Sequence, residues 1–170
     1  NFFDTAELYA VPMKSETRGK TSQFIGEWFS KRKNRKKIIL ADKVVGGSSM
    51  PWLRPNGEKA SLNKKQIEFA IDRSLKDLQT DYIDLYQVHW PDRPSGAFSG
   101  KLEYEHKNSN NSVSIEETLE ALNNLVKSGK VRHIGISNET AWGTNQYLKC
   151  SDQKKIARIV SIQNAYNFLN

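Results

Sequence analysis

The sequence lacks several features that would define a specialised class of protein. Cys150 is its one cysteine in 170 residues, so an internal disulfide is excluded and a reducing, cytoplasmic location is expected. No histidine lies near Cys150 in the chain, and we interpret this cysteine as structural rather than nucleophilic. The sequence has no run of about 18 apolar residues, which argues against a transmembrane helix. No GxGxxG motif follows a strand-like segment, which argues against a dinucleotide-binding doubly wound sheet.

Positive charge is in excess and is concentrated in one segment. The formal net charge is +7 and the isoelectric point is near 9.4, with much of the excess in residues 31–37, KRKNRKK. One interpretation is a patch that binds nucleic acid or a membrane surface. The other is the solvated C-terminal end of a helix, where cations interact favourably with the helix dipole. We favour the second because no aromatic residue interrupts the run and no recognition motif accompanies it.

Strand-like and helical segments alternate along the chain. Strands are predicted at residues 1–5, 36–43, 81–90, 131–138 and 156–166, and helices at 21–33, 62–79, 114–130 and 140–150. The first of these strands is predicted to be buried, because two phenylalanines precede Asp4 in it. This alternation favours an α/β fold with a parallel sheet, and both a doubly wound sheet and a (β/α)8 TIM barrel fit.

Capping residues and loop lengths add detail to this pattern. Ser61 stands before the second helix, and the third has Ser114 as its predicted N-cap, Glu117 at the capping-box position and Gly129 as its stop signal. The connections at 44–61 and 91–113 are long for βα units. Both follow strands, which is the side where barrel enzymes place their active sites.

Polar and ionisable residues stand at the ends of successive predicted strands. They are Asp4, Lys43, His89, Ser137, Asn138 and Gln163. In a barrel these side chains would converge on one face, where Lys43 is the expected partner of Asp4. An ammonium beside Tyr9 would stabilise a phenolate and make the phenol a better proton donor. With His89 orienting a carbonyl oxygen, the group suits carbonyl reduction by hydride transfer.

Each of these residues also has a structural interpretation. Asp4 is a candidate helix N-cap, and Ser137 and Asn138 are candidate caps for the helix that follows them. Lys43 is a candidate solvated strand end, with Asp42 expected to point to the opposite face because strand side chains alternate. His89 is also a candidate core histidine. The remaining histidines, His106 and His133, are interpreted as structural or solvated.

Five ordered motifs resemble those of the aldo-keto reductases, in particular a bacterial-type branch with a long loop after its HWP motif. They are DTAELY, ADK, QVHWP, GISN and IQNAYNFLN. The resemblance implies a (β/α)8 barrel that binds NADPH without a Rossmann motif. It also implies a catalytic tetrad of Asp4, Tyr9, Lys43 and His89, in which Tyr9 is the general acid. Cofactor-binding roles fall to Asp4, Ser137, Asn138 and Gln163, a substrate-pocket role falls to Trp90, and no metal ligand is implied.

The resemblance further implies that residues 1–170 form one partial barrel domain of about five βα units. The family's first strand and everything after its sixth would be absent, including the residues that bind the pyrophosphate and the adenosine 2′-phosphate. We therefore expect a piece of a longer polypeptide that binds NADPH poorly on its own. The predicted function is reduction of a small-molecule carbonyl substrate. The alternatives are a non-catalytic, NADPH-binding regulatory barrel and a basic nucleic-acid-binding module.

Overall fold

The computed structural model describes residues 1–96 and 111–168, in which strands and helices alternate. The strands are β1 (Phe2–Asp4), β2 (Ile39–Val44), β3 (Ile83–Val88), β4 (Val131–Ser137) and β5 (Ile159–Gln163). The helices are α1 (Lys20–Arg32), α2 (Lys64–Asp77), α3 (Ile115–Lys127) and α4 (Ala141–Lys154), with 3-10 turns at Arg35–Lys37 and Pro55–Gly57. All strands are parallel and follow the order β1-β2-β3-β4-β5. The result is half of a (β/α)8 barrel, as predicted.

Helix boundaries follow the capping chemistry of the sequence. The Ser114 side chain accepts a hydrogen bond from the Glu117 backbone N–H, and Gly129 has a left-handed φ of +77° just after α3. The second helix is capped by Asn63, whose side chain accepts from the Gln66 N–H at 2.9 Å. Ser61 supports this cap, because its hydroxyl accepts a hydrogen bond from the Asn63 amide at 2.8 Å.

The first strand is not buried, contrary to the prediction. Phe2 is 56% exposed, because β1 lies at one edge of the sheet and pairs with β2 alone among the described strands. At the other edge, Val160 in β5 is 61% exposed. The two phenylalanines indicated a buried strand, but a strand at the edge of this sheet is partly exposed to solvent.

The core lies between the sheet and the helices packed against it. Fully buried apolar residues come from the strands and from both central helices: Leu40, Val44, Ile67, Ile71, Ile83, Tyr86, Leu119, Leu122 and Ile136. Burial of each large apolar side chain contributes roughly 1.5–3 kcal/mol to stability. This core holds the strand ends in fixed register and so fixes the positions of the polar residues that follow them.

The basic segment ends α1, as the favoured interpretation predicts. α1 ends at Arg32, Lys33 forms its left-handed C-cap, and the 3-10 turn follows. Arg35 is the exception to solvation, because its guanidinium donates to Asp84 Oδ2 at 2.8 Å and lies 4.0 Å from the ring centre of Tyr82. One charge of the run is therefore part of the fold.

The remaining single-residue interpretations concern Cys150, His133 and His106. Burial raises the pKa of the half-buried Cys150 thiol, helped by the Glu116 carboxylate, which agrees with a structural role. His133 lies in β4 and is exposed, whereas His106 lies outside the described residues. No helix in the described ranges is long and apolar enough to cross a membrane.

Asp42 is an unusual buried acid on the helix-facing side of β2. Among the described residues, its two carboxylate oxygens, the Ser74 hydroxyl and the Tyr86 hydroxyl are buried and make no hydrogen bond of normal geometry. The Ser74 hydroxyl and the Lys43 backbone N–H interact with the carboxylate more weakly and only partly offset the effect of its burial. Tyr86 stands beside Asp42 in the β2–β3 register. Burial raises the pKa of Asp42 from 3.8 to about 7, because an ionised carboxylate loses its hydration there. The folded protein therefore holds a neutral carboxylic acid well above the ordinary pH of ionisation.

This burial predicts a pH-dependent stability. Between about pH 4 and pH 7 the unfolded chain has lost a proton that folded Asp42 retains, so stability falls as pH rises through this window. Asp42→Asn keeps the shape of the neutral acid and should raise the free energy of unfolding by about 4 kcal/mol at pH 8 but by only about 1 kcal/mol at pH 4.5. Urea unfolding of the intact protein at both pH values measures the difference.

The exposed Asp81 offers a matched control, because Asp81→Asn should change stability little at either pH. An Asp42→Asn effect of the same size at pH 4.5 and pH 8 would contradict the assignment of a raised pKa to Asp42.

Candidate active site

The structure brings the predicted strand-end residues to one edge of the sheet. Asp4 ends β1, Lys43 is the penultimate residue of β2, and His89 follows β3 directly. Ser137 ends β4, with Asn138 next, and Gln163 ends β5. The carboxyl ends of parallel strands lie at the same edge, and here that edge curves so strongly that the last strand reaches the first. Gln163 Nε2 lies 3.3 Å from Asp4 Oδ2.

An ion pair between the buried Lys43 and the partly exposed Asp4 occupies the centre of this edge. Lys43 is 1% exposed, and its Nζ donates to Asp4 Oδ2 at 2.6 Å and to the Thr5 carbonyl at 2.9 Å. Gln87, which the sequence did not single out, places its amide nitrogen 3.5 Å from Asp4 Oδ1. A buried ammonium is costly unless it is paired and hydrogen-bonded, and Asp4 and Thr5 supply both requirements.

Tyr9 lies between the ion pair and the histidine. Its ring centre is 5.1 Å from Lys43 Nζ and 5.6 Å from the His89 ring centre, with the two rings edge to face. The segment before Tyr9 runs alongside β2, because the Thr5 N–H donates to the Ala41 carbonyl and the Glu7 N–H donates to the Lys43 carbonyl. Sequence spacing alone placed Tyr9 near Asp4, and the backbone contacts explain how it reaches Lys43.

His89 is buried and neutral. Burial lowers its pKa to about 4, with the Lys43 charge acting in the same direction and Asp4 opposing it. Its Nδ1 has no hydrogen-bond partner among the described residues, and its backbone N–H donates to the Val44 carbonyl at 2.8 Å. At neutral pH this side chain is an uncharged imidazole, able to donate or accept a hydrogen bond without carrying a charge.

Amide and hydroxyl groups complete the edge. Ser137 Oγ donates to the Gln163 carbonyl at 2.7 Å, and Asn138 Nδ2 donates to the His89 carbonyl at 2.9 Å. Neither Ser137 nor Asn138 caps the following helix, because Thr140 is the N-cap of α4 and accepts from the Gly143 N–H. The capping interpretation of Ser137 and Asn138 is therefore wrong. Asp4 does not cap a helix either, since α1 begins at Lys20.

An apolar wall flanks Tyr9 and His89. The Trp90 ring lies 4.9 Å from the His89 ring, and its indole N–H donates to the Gly47 carbonyl at 3.1 Å. The long connection after β2 buries Leu53 in a small apolar cluster, and Trp52, Tyr9 and Trp90 all pack against that cluster. The loop after β2 is therefore a fixed side of the site, packed against the loop after β3.

Comparison with known proteins gives this site its family. The model of the aldo/keto reductase family matches residues 1–170. The chain belongs to the aldo/keto reductase family. It is 47% identical over 172 residues to Protein tas of Escherichia coli K12, covering all of this chain and 49% of that protein. It is 45% identical over 140 residues to an aldo-keto reductase of Babesia bovis, covering 78% of this chain and 48% of that protein.

Solved aldo/keto reductase structures share the fold. A Klebsiella pneumoniae aldo/keto reductase, described as a complex with NADP and acetate, superposes with a TM-score of 0.65 at 27% identity. The match covers 97% of this chain and 43% of that structure. The chain spans about half the length of the curated relatives it matches. The half-barrel is therefore the aldo/keto reductase barrel over about half of its extent.

A buried polar network beneath Tyr9 escaped the sequence reasoning. Glu7 lies between Asp4 and Tyr9 in the first aldo/keto reductase motif, and its carboxylate accepts from the Val45 N–H at 2.7 Å. Arg54 grips the same carboxylate with two nitrogens, at 2.8 Å and 3.1 Å. Both side chains are almost fully buried. The Arg54 contact ties the loop after β2 to the segment that carries Tyr9.

Two further side chains complete this network. Arg73 in α2 donates to Glu7 Oε2 at 2.9 Å, and Gln66 accepts from Arg54 Nε at 3.0 Å. Gln66 also accepts from the Ser61 N–H and donates to the Lys59 carbonyl. The signal for the network was an acid two residues before Tyr9, but nothing local indicates that Arg54, 47 residues later, is its partner.

Removal of the Arg54 side chain should therefore destabilise the fold strongly. Arg54→Met leaves the buried Glu7 with Arg73 as its one remaining cation, and loss of one member of a buried ion pair costs roughly 3–5 kcal/mol. Denaturant unfolding of the intact protein measures this loss. The double variant Glu7→Gln/Arg54→Met should be destabilised less than Arg54→Met, because it also removes the fully buried charge of Glu7. Of the charged network residues it leaves only Arg73, which is partly exposed, without its anion.

The exposed pair Lys31–Glu27 provides the control. Lys31→Met should lower stability by less than about 1 kcal/mol, since exposed ion pairs contribute little. A cost for Arg54→Met as small as that for Lys31→Met would show that the buried network does not stabilise the fold.

Proposed function

We propose that the protein is an NADPH-dependent carbonyl reductase in which Tyr9 donates the proton. The observation that carries this proposal is the position of Tyr9 between the Lys43–Asp4 ion pair and the neutral His89. Reduction of a carbonyl needs a proton donor at its oxygen, and the Tyr9 hydroxyl is a donor group that lies in this part of the site. Membership of the aldo/keto reductase family supports the same reaction class.

The proposed roles follow from charge and burial. Asp4 holds Lys43 Nζ in place and compensates its charge, so that the ammonium stays at the centre of the site. His89 is neutral and donates a hydrogen bond that orients the substrate carbonyl oxygen. Tyr9 then transfers its proton to that oxygen as the carbonyl carbon gains a hydride, which gives an alcohol.

The amide cluster fits the nicotinamide end of the cofactor. Ser137, Asn138 and Gln163 together offer hydroxyl and primary-amide groups, the donor and acceptor set that matches a carboxamide. Asn138 directs its amide nitrogen into the protein, which leaves its carbonyl oxygen for a ligand N–H. When bound, NADPH supplies the hydride. The similar Klebsiella pneumoniae structure, described as holding NADP, supports this choice of cofactor.

The apolar wall has a proposed role in substrate binding. Trp90 lies against His89, and Trp90 and Trp52 pack on the apolar cluster that Tyr9 also contacts. Their aromatic surface would exclude water from the reacting carbonyl and contact the substrate's apolar part. We also propose that residues 1–170 form one partial barrel domain whose function needs the rest of the barrel. This follows from the open sheet edges and from the half-length match to relatives.

Tyr9→Phe tests the proposal in the intact protein. The variant keeps the ring and removes the proton donor, so NADPH oxidation with 4-nitrobenzaldehyde should fall by a factor of about 100 or more, the usual contribution of general acid catalysis. Absorbance at 340 nm measures the rate. NADPH binding, measured separately by fluorescence, should change little because the cofactor contacts are intact.

Tyr82→Phe is the matched control, because Tyr82 lies at the opposite end of β3, stacked between Arg35 and Arg132. It should retain wild-type activity. A wild-type protein that binds NADPH but reduces no carbonyl compound in a panel of aldehydes and ketones would contradict the reductase and favour the regulatory barrel. Equal activity of Tyr9→Phe and wild type would contradict the role of Tyr9.

A further inference from the structure

We infer that Arg93, Glu139 and Asn164 form a positioning unit that holds the nicotinamide-binding amides in place. We call these three residues the loop clasp. Arg93 belongs to the loop after β3, Glu139 to the loop after β4 and Asn164 to the loop after β5. The inference rests on the proposed function, because it assigns the clasp a purpose in cofactor binding.

The carboxylate of Glu139 is the centre of the clasp. Its side chain is 2% exposed, and it accepts hydrogen bonds from both terminal nitrogens of Arg93, that from Nη1 at 3.0 Å. The backbone N–H of Thr140 also donates to it at 2.6 Å. A buried carboxylate with this many donors has one fixed orientation, and that orientation joins the loop after β3 to the loop after β4.

The backbone of Glu139 is hydrogen-bonded to Asn164, the first residue after β5. The Glu139 N–H donates to Asn164 Oδ1 at 3.1 Å, and Asn164 Nδ2 donates back to the Glu139 carbonyl at 2.8 Å. This reciprocal pair resembles two rungs of a strand ladder, made by a side chain instead of a backbone. Because Asn164 follows Gln163 directly, the pair sets the spacing between Asn138 and Gln163.

Asn138 has a left-handed backbone that such support stabilises. Its φ is +50°, in a region that strains residues other than glycine, although asparagine adopts it more readily than most. Its own N–H donates to the Gln163 carbonyl at 3.1 Å, and its side chain donates to the His89 carbonyl. Glu139 is the next residue, so the clasp holds the backbone on the C-terminal side of the strained position.

Trp142 and Gly143 at the start of α4 pack closely against Arg93 and Glu139. The Arg93 guanidinium lies 5.0 Å from the ring centre of Trp142, which fixes its plane. A Cβ atom at Gly143 would collide with both the Glu139 carboxylate and the Arg93 guanidinium. Glycine at position 143 therefore permits the helix to approach the ion pair closely.

A purely stabilising role is the weaker explanation of this arrangement. Burial of an ion pair carries a desolvation cost that its attraction only partly offsets, and apolar residues often stabilise such positions equally well. What the charged pair gives, and apolar packing does not, is a directional set of hydrogen bonds. These hydrogen bonds end at the residues beside Asn138 and Gln163. The expected benefit is therefore a fixed position of these two side-chain amides, which are proposed to bind the nicotinamide.

Glu139→Gln in the intact protein tests the inference. The glutamine keeps the size and one acceptor oxygen but loses the charge that holds Arg93. The dissociation constant of NADPH, measured by fluorescence, should rise about tenfold. The dissociation constant of 2′-phospho-ADP-ribose, which lacks the nicotinamide, should stay within twofold of wild type. Arg93→Gln/Glu139→Gln should be no worse than Glu139→Gln, because the two residues act as one unit.

Asn164→Ala guards against a folding failure, because Asn164 is exposed and its loss removes the reciprocal pair without a buried charge. It should weaken NADPH binding selectively as well. Asp152→Asn, which breaks the exposed Arg158–Asp152 pair at the other end of α4, is the control and should bind both ligands as wild type does.

Three results would overturn the inference, and they are distinguishable. Unchanged NADPH affinity in both Glu139→Gln and Asn164→Ala would remove the positioning role and leave the proposed function intact. Equal weakening of NADPH and 2′-phospho-ADP-ribose would indicate a general structural loss instead of positioning. If the wild-type protein binds NADPH no more tightly than 2′-phospho-ADP-ribose, the proposed contacts with the nicotinamide are themselves contradicted.

Discussion

The buried ammonium of Lys43 is the constraint on which the site depends. At 1% exposure it has lost its hydration, so the fold is stable only with an anion and an acceptor at hydrogen-bond distance. Asp4, which ends β1, and Thr5, which follows it, meet that need from the strand that pairs with β2. The edge strand is thereby fixed by electrostatics as well as by its ladder. Tyr9, a few residues later, is delivered beside the same charge.

Asp4 also joins the first strand to the last. Besides Lys43 it contacts Gln87 in β3 and Gln163 in β5, a residue 159 positions away in the chain. These contacts are possible because five parallel strands twist and curve into half of a barrel, which brings their carboxyl ends together. The same curvature explains why the hydroxyl and amide groups of β4 and β5 lie near the proton donor. One carboxylate therefore links the proposed chemical and cofactor halves of the site.

Buried carboxylates in this protein differ in how well they are hydrogen-bonded. Glu7 beneath Tyr9 and Glu139 beside Asn138 are each held by an arginine and a backbone N–H, so their positions are rigid. Asp42, on the other face of β2 from Lys43, makes no hydrogen bond of normal geometry with the described residues and remains neutral at mild pH because burial raises its pKa. Asp84, near the start of β3 and far from the candidate site, is also held by two arginines and a backbone N–H, those of Arg35, Arg132 and Leu40. Paired buried acids therefore support both the fold and the candidate site.

The sequence by itself determined the order of strands and helices, the caps of α3, and the identity of the polar residues at the strand ends. These features are local, since hydrophobic periodicity and capping depend on residues a few positions apart. The tertiary structure decided that β1 is an exposed edge, that Asn138 adopts a left-handed backbone, and that Arg54 and Arg93 find Glu7 and Glu139. Those outcomes depend on which loops meet in space after the sheet curves. No pattern along the chain records a contact between side chains that are 46 or 47 residues apart.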